Sequence, residues 1–167
     1  LHSCKKSRND VWLSLLPLAH TLEMTIGLLY PMFCGASIYY LQKPPVPALL
    51  LKAIKTVRPT VILSVPLIIE KIYKGSVLQT INGSRTLRWM DKHANLLMCR
   101  LIGLKLKSTF GGRLRFFGIG GAKLDGEVEK FLLKSGFPYA VGYGLTETSP
   151  LVSFSMNRWR TVGSIGY

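Results

Sequence analysis

Acidic residues and cysteines are scarce in this sequence. Only 8 Asp and Glu stand against 22 Lys and Arg among 167 residues, which gives a formal net charge of +14. The three cysteines, Cys4, Cys34 and Cys99, form no Cys-x-x-Cys pair, so we expect free thiols in a reducing compartment and no zinc-type site. The sequence also lacks a Gly-x-Ser-x-Gly elbow and a Gly-x-x-x-x-Gly-Lys-[Ser/Thr] loop, which excludes a nucleophilic serine of that type and a P-loop.

The excess of positive charge predicts an anionic partner, such as a nucleotide, CoA or an acidic membrane surface, or else a solvated basic surface without a dedicated partner. Apart from a short cluster at residues 5–8, the basic residues lie scattered. Six of them follow one predicted helical region: Arg85, Arg88, Lys92, Arg100, Lys105 and Lys107. No basic run has the length of a nucleic-acid-binding arm, so we expect no nucleic-acid partner.

Residues 24–41 carry no charge, and a run of this length suggests a membrane span. Gly27, Pro31 and Gly35 interrupt the run, however, and residues 36–41 have the composition of a strand. We therefore expect a buried helix followed by a buried strand, with a transmembrane helix as the alternative. No secretory signal pattern is visible, which favours a cytoplasmic protein with peripheral membrane contact as an option.

Five predicted strands alternate with five predicted helices. The strands are expected at 11–16, 36–41, 61–65, 114–120 and 137–141, and the helices at about 22–34, 48–57, 66–81, 84–106 and 126–135. Asp125 is expected to cap the last helix, and residues 43–47 are expected to form a rigid, proline-rich connector. The alternation predicts an α/β fold with a mostly parallel sheet and flanking helices.

Unusual residues follow three of the predicted strands. The first strand leads to His20, the fourth to Gly120, Gly121 and Ala122, and the fifth to the stretch 141–148, Val-Gly-Tyr-Gly-Leu-Thr-Glu-Thr. The loops after parallel strands lie at one edge of a sheet, where ligands bind in open α/β folds. We therefore expect these three groups to converge.

The stretch 141–148 has the residue types of a nucleotide site. Gly144 allows a ligand to approach the backbone, and Tyr143 can stack on a flat ring. Thr146 can hydrogen-bond a phosphate oxygen, and Glu147 can hold a hard cation such as Mg²⁺. The alternative is a tight turn whose tyrosine lies in the core and whose Thr-Glu pair caps a helix.

The other two groups are open to two interpretations as well. The small residues 120–122 would let a planar ring lie against the backbone, or they are needed only for a tight strand-to-helix turn. His20 could shape a pocket or act as an acid or base near neutral pH, or it is a hydrogen-bonded structural residue.

Five sequence blocks follow one another along the chain. Residues 16–23 read Leu-Pro-Leu-Ala-His-Thr-Leu-Glu, and residues 58–73 contain Arg-Pro-Thr, Val-Pro and Glu-Lys-Ile-Tyr. Gly-Gly-Ala-x-Leu lies at 120–124, Tyr-Gly-Leu-Thr-Glu-Thr at 143–148, and Thr-Val-Gly-Ser-Ile-Gly at 161–166. In this order the blocks resemble those of the adenylate-forming (AMP-binding) enzymes, most closely the long-chain fatty acyl-CoA synthetases.

The resemblance implies a two-step ligase reaction. ATP and a fatty acid give an acyl-adenylate and pyrophosphate, and CoA then displaces AMP to give the thioester. ATP or AMP, Mg²⁺ and CoA would be the cofactors and co-substrates. By resemblance, Gly120, Gly121, Ala122 and Gly144 would line the nucleotide site.

The same resemblance assigns the chemistry to five residues. Tyr143 would stack on adenine, Thr146 would bind the α-phosphate, and Glu147 would coordinate Mg²⁺. His20 would stand beside the acyl carboxylate, and Gly163 would lie along the acyl channel.

Three parts of that family's site do not occur in residues 1–167. They are the lysine-bearing phosphate loop, the ribose-binding aspartate, and the small C-terminal domain with its catalytic lysine. We therefore expect a single partial domain, the central part of a large N-terminal domain, that does not catalyse acyl activation alone. A non-catalytic nucleotide- or acyl-binding module and a basic protein that docks on acidic surfaces are the competing interpretations.

Overall fold

A six-stranded sheet is the centre of the computed structural model, which describes residues 8–41, 46–156 and 161–165. The strands are β1 Val11–Ser14, β2 Ser37–Tyr40, β3 Val61–Ser64, β4 Phe116–Ile119, β5 Tyr139–Tyr143 and β6 Ser153–Met156. They lie in the order β2-β1-β3-β4-β5-β6, with parallel pairing from β2 to β5 and an antiparallel pair between β5 and β6. The predicted α/β fold with a mostly parallel sheet is confirmed.

Helices connect and flank the parallel strands. They are α1 Tyr30–Cys34, α2 Pro47–Val57, α3 Pro66–Ile72, α4 Leu78–Gly83, α5 Arg85–His93, α6 Asn95–Thr109 and α7 Gly126–Ser135. A π-helical segment, Glu23–Leu29, runs directly into α1, and we call these two segments together the covering helix. A second π-helical segment, Tyr73–Val77, joins α3 to α4. Of the predicted connector 43–47, residues 43–45 lie outside the described ranges and Pro47 begins α2.

The bounds predicted for α7 match the structure because both ends carry strong local signals. The Asp125 carboxylate accepts hydrogen bonds from the backbone N–H groups of Glu127 and Val128. At the other end, Gly136 adopts the left-handed conformation that closes a helix. The Glu70 carboxylate also accepts a hydrogen bond from the Asp125 backbone N–H, which ties α3 to the start of α7.

The two faces of the sheet differ because successive side chains of a strand point to opposite sides. Leu13, Ile62, Phe117 and Tyr139 belong to the main core, which also contains buried residues of α2, α3, α4, α6 and α7. Three phenylalanine rings, Phe110, Phe117 and Phe137, pack edge to face in this core at centroid distances of 5.4 to 5.6 Å. The opposite face carries a smaller cluster of Trp12, Val61 and Leu63, against which the covering helix packs.

The helix followed by a strand that was expected at 24–41 is confirmed, but the expectation that both are buried is wrong. Strand β2 forms an edge of the sheet, and its Tyr39 and Tyr40 are exposed. The covering helix also exposes large apolar side chains, with Phe33 at 79%. Within the described residues, no helix is both long and apolar enough to cross a bilayer.

Several other elements also differ from the sequence expectation. The single helix predicted at 84–106 is two helices, because Ala94 leaves the helical conformation with φ −143° and ψ 44°. Strand β5 begins and ends two residues later than predicted, so Tyr143 is its last residue. Strand β6 had no prediction, and it exists because Ser153–Met156 folds back to pair with β5.

Candidate functional site

A cavity of about 600 Å³ lies between the covering helix and the sheet. The covering helix and the loop before it line the cavity with one row of side chains at a spacing of four: Leu22, Ile26, Tyr30 and Cys34. The sheet contributes the face opposite the main core: Trp12, Val61, Leu63, Phe116, Gly118, Ala140, Gly142 and Phe154. Most of these groups are apolar, and the glycines and Ala140 leave the space that larger side chains would fill.

Five of the residues singled out in the sequence lie on the wall of this cavity. They are His20, Gly120, Gly121, Gly144 and Thr146. All five follow the carboxyl ends of β1, β4 and β5, which are parallel strands. The structure therefore brings residues from three separate loops to one edge of one cavity. His20 is exposed there, with its backbone N–H bonded to the carbonyl of Pro17.

Four other residues from the same sequence blocks are not part of the cavity wall. Ala122 and Glu147 are exposed beside it, and Tyr143 is 45% exposed at the end of β5. The exposure of Tyr143 rules out the interpretation in which its ring belongs to the core. Gly163 lies elsewhere, because its backbone N–H donates to the Glu129 carboxylate at 2.8 Å.

Tight backbone packing shapes the loop after β5. A Cβ atom on Gly144 would lie 1.7 Å from the carbonyl oxygen of Pro150, so no other residue fits there without moving the backbone. Residues 146–148 form one 3₁₀ turn, in which the Thr148 hydroxyl bonds both the N–H and the carbonyl of Leu145 at 2.9 Å. This turn holds Thr146 on the cavity wall and Glu147 next to it.

Glu23 is a residue of this region to which the sequence analysis assigned no role. Its side chain is 1% exposed, and its Oε2 atom has no hydrogen-bond partner among the described residues. Burial raises the pKa of this carboxyl above its ordinary value, while a hydrogen bond from Ser14 lowers it by a smaller amount. A Cβ on Gly27 would lie 2.4 Å from Glu23 Oε1, so the absence of a side chain at Gly27 makes room for the carboxyl. The sequence feature that could have pointed to Glu23 is its position as a single acidic residue directly before the uncharged run 24–41.

A polar cluster closes the cavity near the amino ends of the strands. Asp10 and Arg115 line this end and form an ion pair. The Thr60 hydroxyl donates to Asp10 Oδ1 at 2.8 Å and accepts from the Val11 N–H at 2.9 Å. The cluster ties the starts of β1, β3 and β4 together. Sequence reasoning could not predict this cluster, because its members lie 50 or more residues apart in the chain.

Within the described residues, no group of three or more His, Cys, Asp or Glu side chains could hold a metal ion. Glu147 by itself supplies one carboxylate next to the cavity. One or two carboxylates are what Mg²⁺ uses in sites where substrate phosphates and water supply its other ligands. The donor set therefore fits Mg²⁺ carried by a nucleotide, and it does not fit a structural metal centre.

The two cysteines in the described ranges, Cys34 and Cys99, are free thiols, as expected, and Cys4 lies outside those ranges. Cys34 lies on the cavity wall, and Cys99 is buried in the main core. Burial raises the pKa of the Cys99 thiol, so this sulfur is an inert core group.

Comparison with known proteins is consistent across sequence and structure. A family model described as "AMP-binding enzyme" matches residues 1–167. The chain is 33% identical over 166 residues to the peroxisomal long chain acyl-CoA synthetase 6 of Arabidopsis thaliana, covering 90% of this chain and 23% of that protein. It is 29% identical over 140 residues to a long-chain-fatty-acid–CoA ligase of Mycobacterium bovis, covering 70% of this chain and 23% of that one.

Solved structures agree in fold. An o-succinylbenzoate CoA synthetase of Bacillus subtilis, bound to a product analogue, superposes with a TM-score of 0.70 at 17% identity, covering 99% of this chain and 28% of that one. The same enzyme in complex with AMP gives a TM-score of 0.65 at 18% identity, covering 96% and 27%. The chain spans about a quarter of the length of the curated relatives it matches.

Proposed function

Because this chain belongs to the AMP-binding enzyme family, we propose that it is part of a long-chain fatty acid–CoA ligase. The observation that supports this most directly is the cavity: its walls are apolar along the sheet, and its polar edge is formed by the blocks at 16–23, 120–124 and 143–148. An acyl chain would lie in the apolar part, and its carboxylate would reach the edge where ATP binds.

The length of the cavity suits a long acyl chain. Its lining in and next to β4 runs from Arg115 to Gly120, six residues of extended backbone that span about 16 Å. Binding in such a cavity gains free energy with every methylene that leaves water, about 0.8 kcal/mol for each. We propose that the acyl chain enters between the covering helix and the sheet, with its carboxylate beside His20.

The nucleotide would bind across the carboxyl edge of the sheet. Gly121 has φ +87°. A Cβ atom added to Gly121 would have only Val65 Cγ1 nearby, at 3.8 Å, so a flat ring can approach the backbone here. Gly121 and Ala122 would contact adenine, and the exposed ring of Tyr143 would stack on it. Gly120 and Gly144 would complete the backbone surface below the nucleotide.

The chemistry requires that charge on the α-phosphate be stabilised. A carboxylate oxygen of the fatty acid attacks the α-phosphorus, the new P–O bond forms, and pyrophosphate leaves. The sulfur of CoA then attacks the acyl carbonyl, and AMP leaves. The Thr146 hydroxyl would donate to an α-phosphate oxygen, and Glu147 would hold Mg²⁺, which stabilises negative charge on the phosphate oxygens when bound.

The proposed ligase includes more chain than these 167 residues. We propose that residues 1–167 form the central part of a large N-terminal domain, and that a phosphate loop, a ribose-binding residue and a C-terminal domain belong to the parent protein. Gly163 lies away from the cavity, beside Glu129. It would line the acyl channel only if other segments of the parent chain extend the channel to it. The isolated chain should show no fatty acid-dependent ATP–pyrophosphate exchange, and robust exchange by it would contradict this division.

The test is ATP–pyrophosphate exchange by the parent protein, with fatty acid present and absent. Thr146→Val and Glu147→Gln should each lower the fatty acid-dependent rate by about 10²-fold or more, because each removes a group that acts on the reacting phosphate. Glu127→Gln is the matched control, since Glu127 is an exposed carboxylate on α7 that pairs with Lys130. Full exchange by Glu147→Gln would refute the magnesium role, and nucleotide binding without exchange by the parent would favour a non-catalytic module.

A further inference from the structure

Charged groups close the end of the cavity that lies farthest from the carboxyl edge of the sheet. Asp10 and Arg115 line that end, whereas the strands between it and Gly120 line the cavity with mostly apolar groups. Asp10 is 8% exposed, so the described residues nearly enclose its carboxylate. An ion pair at the end of an apolar cavity costs desolvation energy, and further polar partners would reduce that cost.

The Asp10 carboxylate is held in place by two donors on one of its oxygens. The Thr60 hydroxyl donates to Oδ1 at 2.8 Å, and Arg115 Nη2 donates to the same atom. Thr60 is itself 5% exposed and accepts a hydrogen bond from the Val11 N–H at 2.9 Å. Asp10, Thr60 and Arg115 stand directly before β1, β3 and β4, so the paired strands fix the position of this carboxylate.

The ion pair leaves hydrogen-bonding capacity unused. Asp10 Oδ2 accepts no hydrogen bond from the described residues, and Nε and Nη1 of Arg115 donate none to them. The Asp10 side chain keeps 11% of its surface accessible, and Asp10 lines the cavity. Tying the strands together explains the two bonds to Oδ1, but it makes no use of Oδ2 or of the remaining guanidinium donors.

The distance from this end to the carboxyl edge selects the acyl chain that would reach it. The lining from Arg115 to Gly120 spans about 16 Å. An extended hydrocarbon chain, with bonds of about 1.5 Å and angles of about 111°, advances about 1.25 Å with each carbon. With its carboxylate at Gly120, a tetradecanoic chain would therefore end at the Asp10–Arg115 pair. An octanoic chain would end between Gly118 and Phe116, beside apolar groups.

We propose that Asp10 and Arg115 form a binding subsite for a hydroxyl group at the ω end of the acyl substrate. A hydroxyl both donates and accepts, so it would donate to Asp10 Oδ2 and accept from an Arg115 N–H. Hydrogen bonds to charged groups are stronger than those between neutral groups. The substrates would be ω-hydroxy fatty acids whose chains are close to tetradecanoic acid in length.

Other chain ends fit this subsite less well. A methyl end would shield Oδ2 and the guanidinium donors from water without pairing them, which costs free energy. A second carboxylate would pair with Arg115, but it would also stand next to the Asp10 carboxylate, and like charges at short distance repel. A hydroxyl avoids both costs.

This subsite rests on the proposed ligase function and adds a substrate class to it. The two proposals can fail separately. Activation of tetradecanoic acid requires no ω-hydroxyl, and recognition of the hydroxyl can be measured without turnover.

The test compares kcat/KM of the parent protein for two pairs of acids. One pair is ω-hydroxytetradecanoic acid and tetradecanoic acid, and the other is ω-hydroxyoctanoic acid and octanoic acid. We expect the ω-hydroxyl to raise kcat/KM about tenfold in the long pair and to lower it in the short pair, where it would lie against apolar side chains. A hydroxyl that lowers kcat/KM in both pairs, or changes it in neither, would overturn the proposal.

Two substitutions identify the groups responsible. Arg115→Met removes the donors, and Asp10→Asn removes the charge and replaces one acceptor oxygen, so each should abolish most of the preference for the ω-hydroxyl. Arg113→Met is the matched control, because Arg113 is an exposed arginine that does not line the cavity. Since the preference is a ratio within one protein, a smaller folded fraction lowers both rates and leaves the ratio unchanged. A tenfold preference that survives both substitutions would contradict the subsite.

Cys34 provides a native reporter for binding at this end of the cavity. It lines the cavity, and the N–H of Ser37, three residues later, donates to the Asp10 carbonyl at 3.1 Å. In the parent protein, ω-hydroxytetradecanoic acid should protect Cys34 from iodoacetamide at about tenfold lower concentration than tetradecanoic acid, with the labelled peptide measured by mass spectrometry. Such protection without turnover would contradict the ligase function and support the subsite. Equal protection by the two acids, or protection by neither, would overturn the subsite.

Discussion

Glu23 shows how the packing around a single residue changes the chemistry of its side chain. Its carboxyl is enclosed between Ser14 and Gly27 beneath the covering helix, with one oxygen unpaired among the described residues. The raised pKa follows from this enclosure, because burial disfavours the charged form. The stability that the protonated group contributes is fully present below the unfolded pKa and is lost as pH rises through the folded pKa.

Glu23→Gln should therefore stabilise the protein in a pH-dependent way. The variant and the wild type should unfold at similar urea concentrations near about pH 4. Near about pH 8 the variant should be more resistant to urea, because there the unfolded wild type gains stability by ionising Glu23, whereas the folded wild type must keep this buried carboxyl protonated or bury its charge. Urea midpoints of the parent protein at the two pH values measure this. A constant difference at both pH values would show that ionisation of Glu23 is not the cause, and Glu127→Gln should show no such trend.

Gly144 illustrates a residue requirement set by space. Gly144→Ala would place a methyl group against the Pro150 carbonyl, so the return from β5 to β6 must shift. We expect a loss of about 1–3 kcal/mol or more in thermal or urea unfolding. Gly75→Ala is the control, because nothing lies within 4 Å of its added Cβ, and it should be neutral or stabilising by up to about 1 kcal/mol. Equal behaviour of the two variants would contradict the backbone clash.

At the scale of elements, local signals predicted some boundaries well and others poorly. Helix α7 carries its own capping residue and its own terminal glycine, so its bounds follow from sequence alone. The break at Ala94 has no glycine or proline to announce it, and the sequence predicted one long helix. Strand β2 was predicted as buried because it is apolar, but burial depends on its edge position in the sheet.

The cap of α7 can be tested directly. Asp125→Ala should cost about 1 kcal/mol, because two backbone N–H groups lose their acceptor. Asp125→Asn keeps an acceptor oxygen and should cost less. If urea unfolding shows the same loss for both variants, charge rather than the hydrogen bonds accounts for the effect.

The cavity is a property of the whole molecule, because the covering helix and five of the six strands, β1, β3, β4, β5 and β6, contribute to its walls. Gly118 lies midway along it, and a Cβ there would stand 2.8 Å from Leu63 Cδ2 and 3.0 Å from the Phe116 ring. An added side chain would therefore narrow the cavity between its polar edge and its far end.

Gly118→Val should accordingly shorten the acyl chains that the parent protein accepts. We expect kcat/KM to fall about tenfold or more for a long-chain fatty acid and to change little for a short one, since a short chain ends before Gly118. Comparing two substrates within one variant serves as an internal control for folding. An equal fall for both chain lengths would indicate a general loss of structure and would contradict this path for the acyl chain.

The sequence by itself determined the α/β class, the order of most elements and the residues that gather at the carboxyl edge of the sheet. These features follow from local periodicity, from capping residues and from the alternation of strands and helices that makes the strands parallel. All of these are patterns among residues that lie close together in the sequence. Tertiary structure decided the enclosure of Glu23, the Asp10–Thr60–Arg115 cluster and the exposure of β2. Those features depend on groups that lie far apart in the chain, and burial and desolvation act on them only after the sheet and its helices have packed.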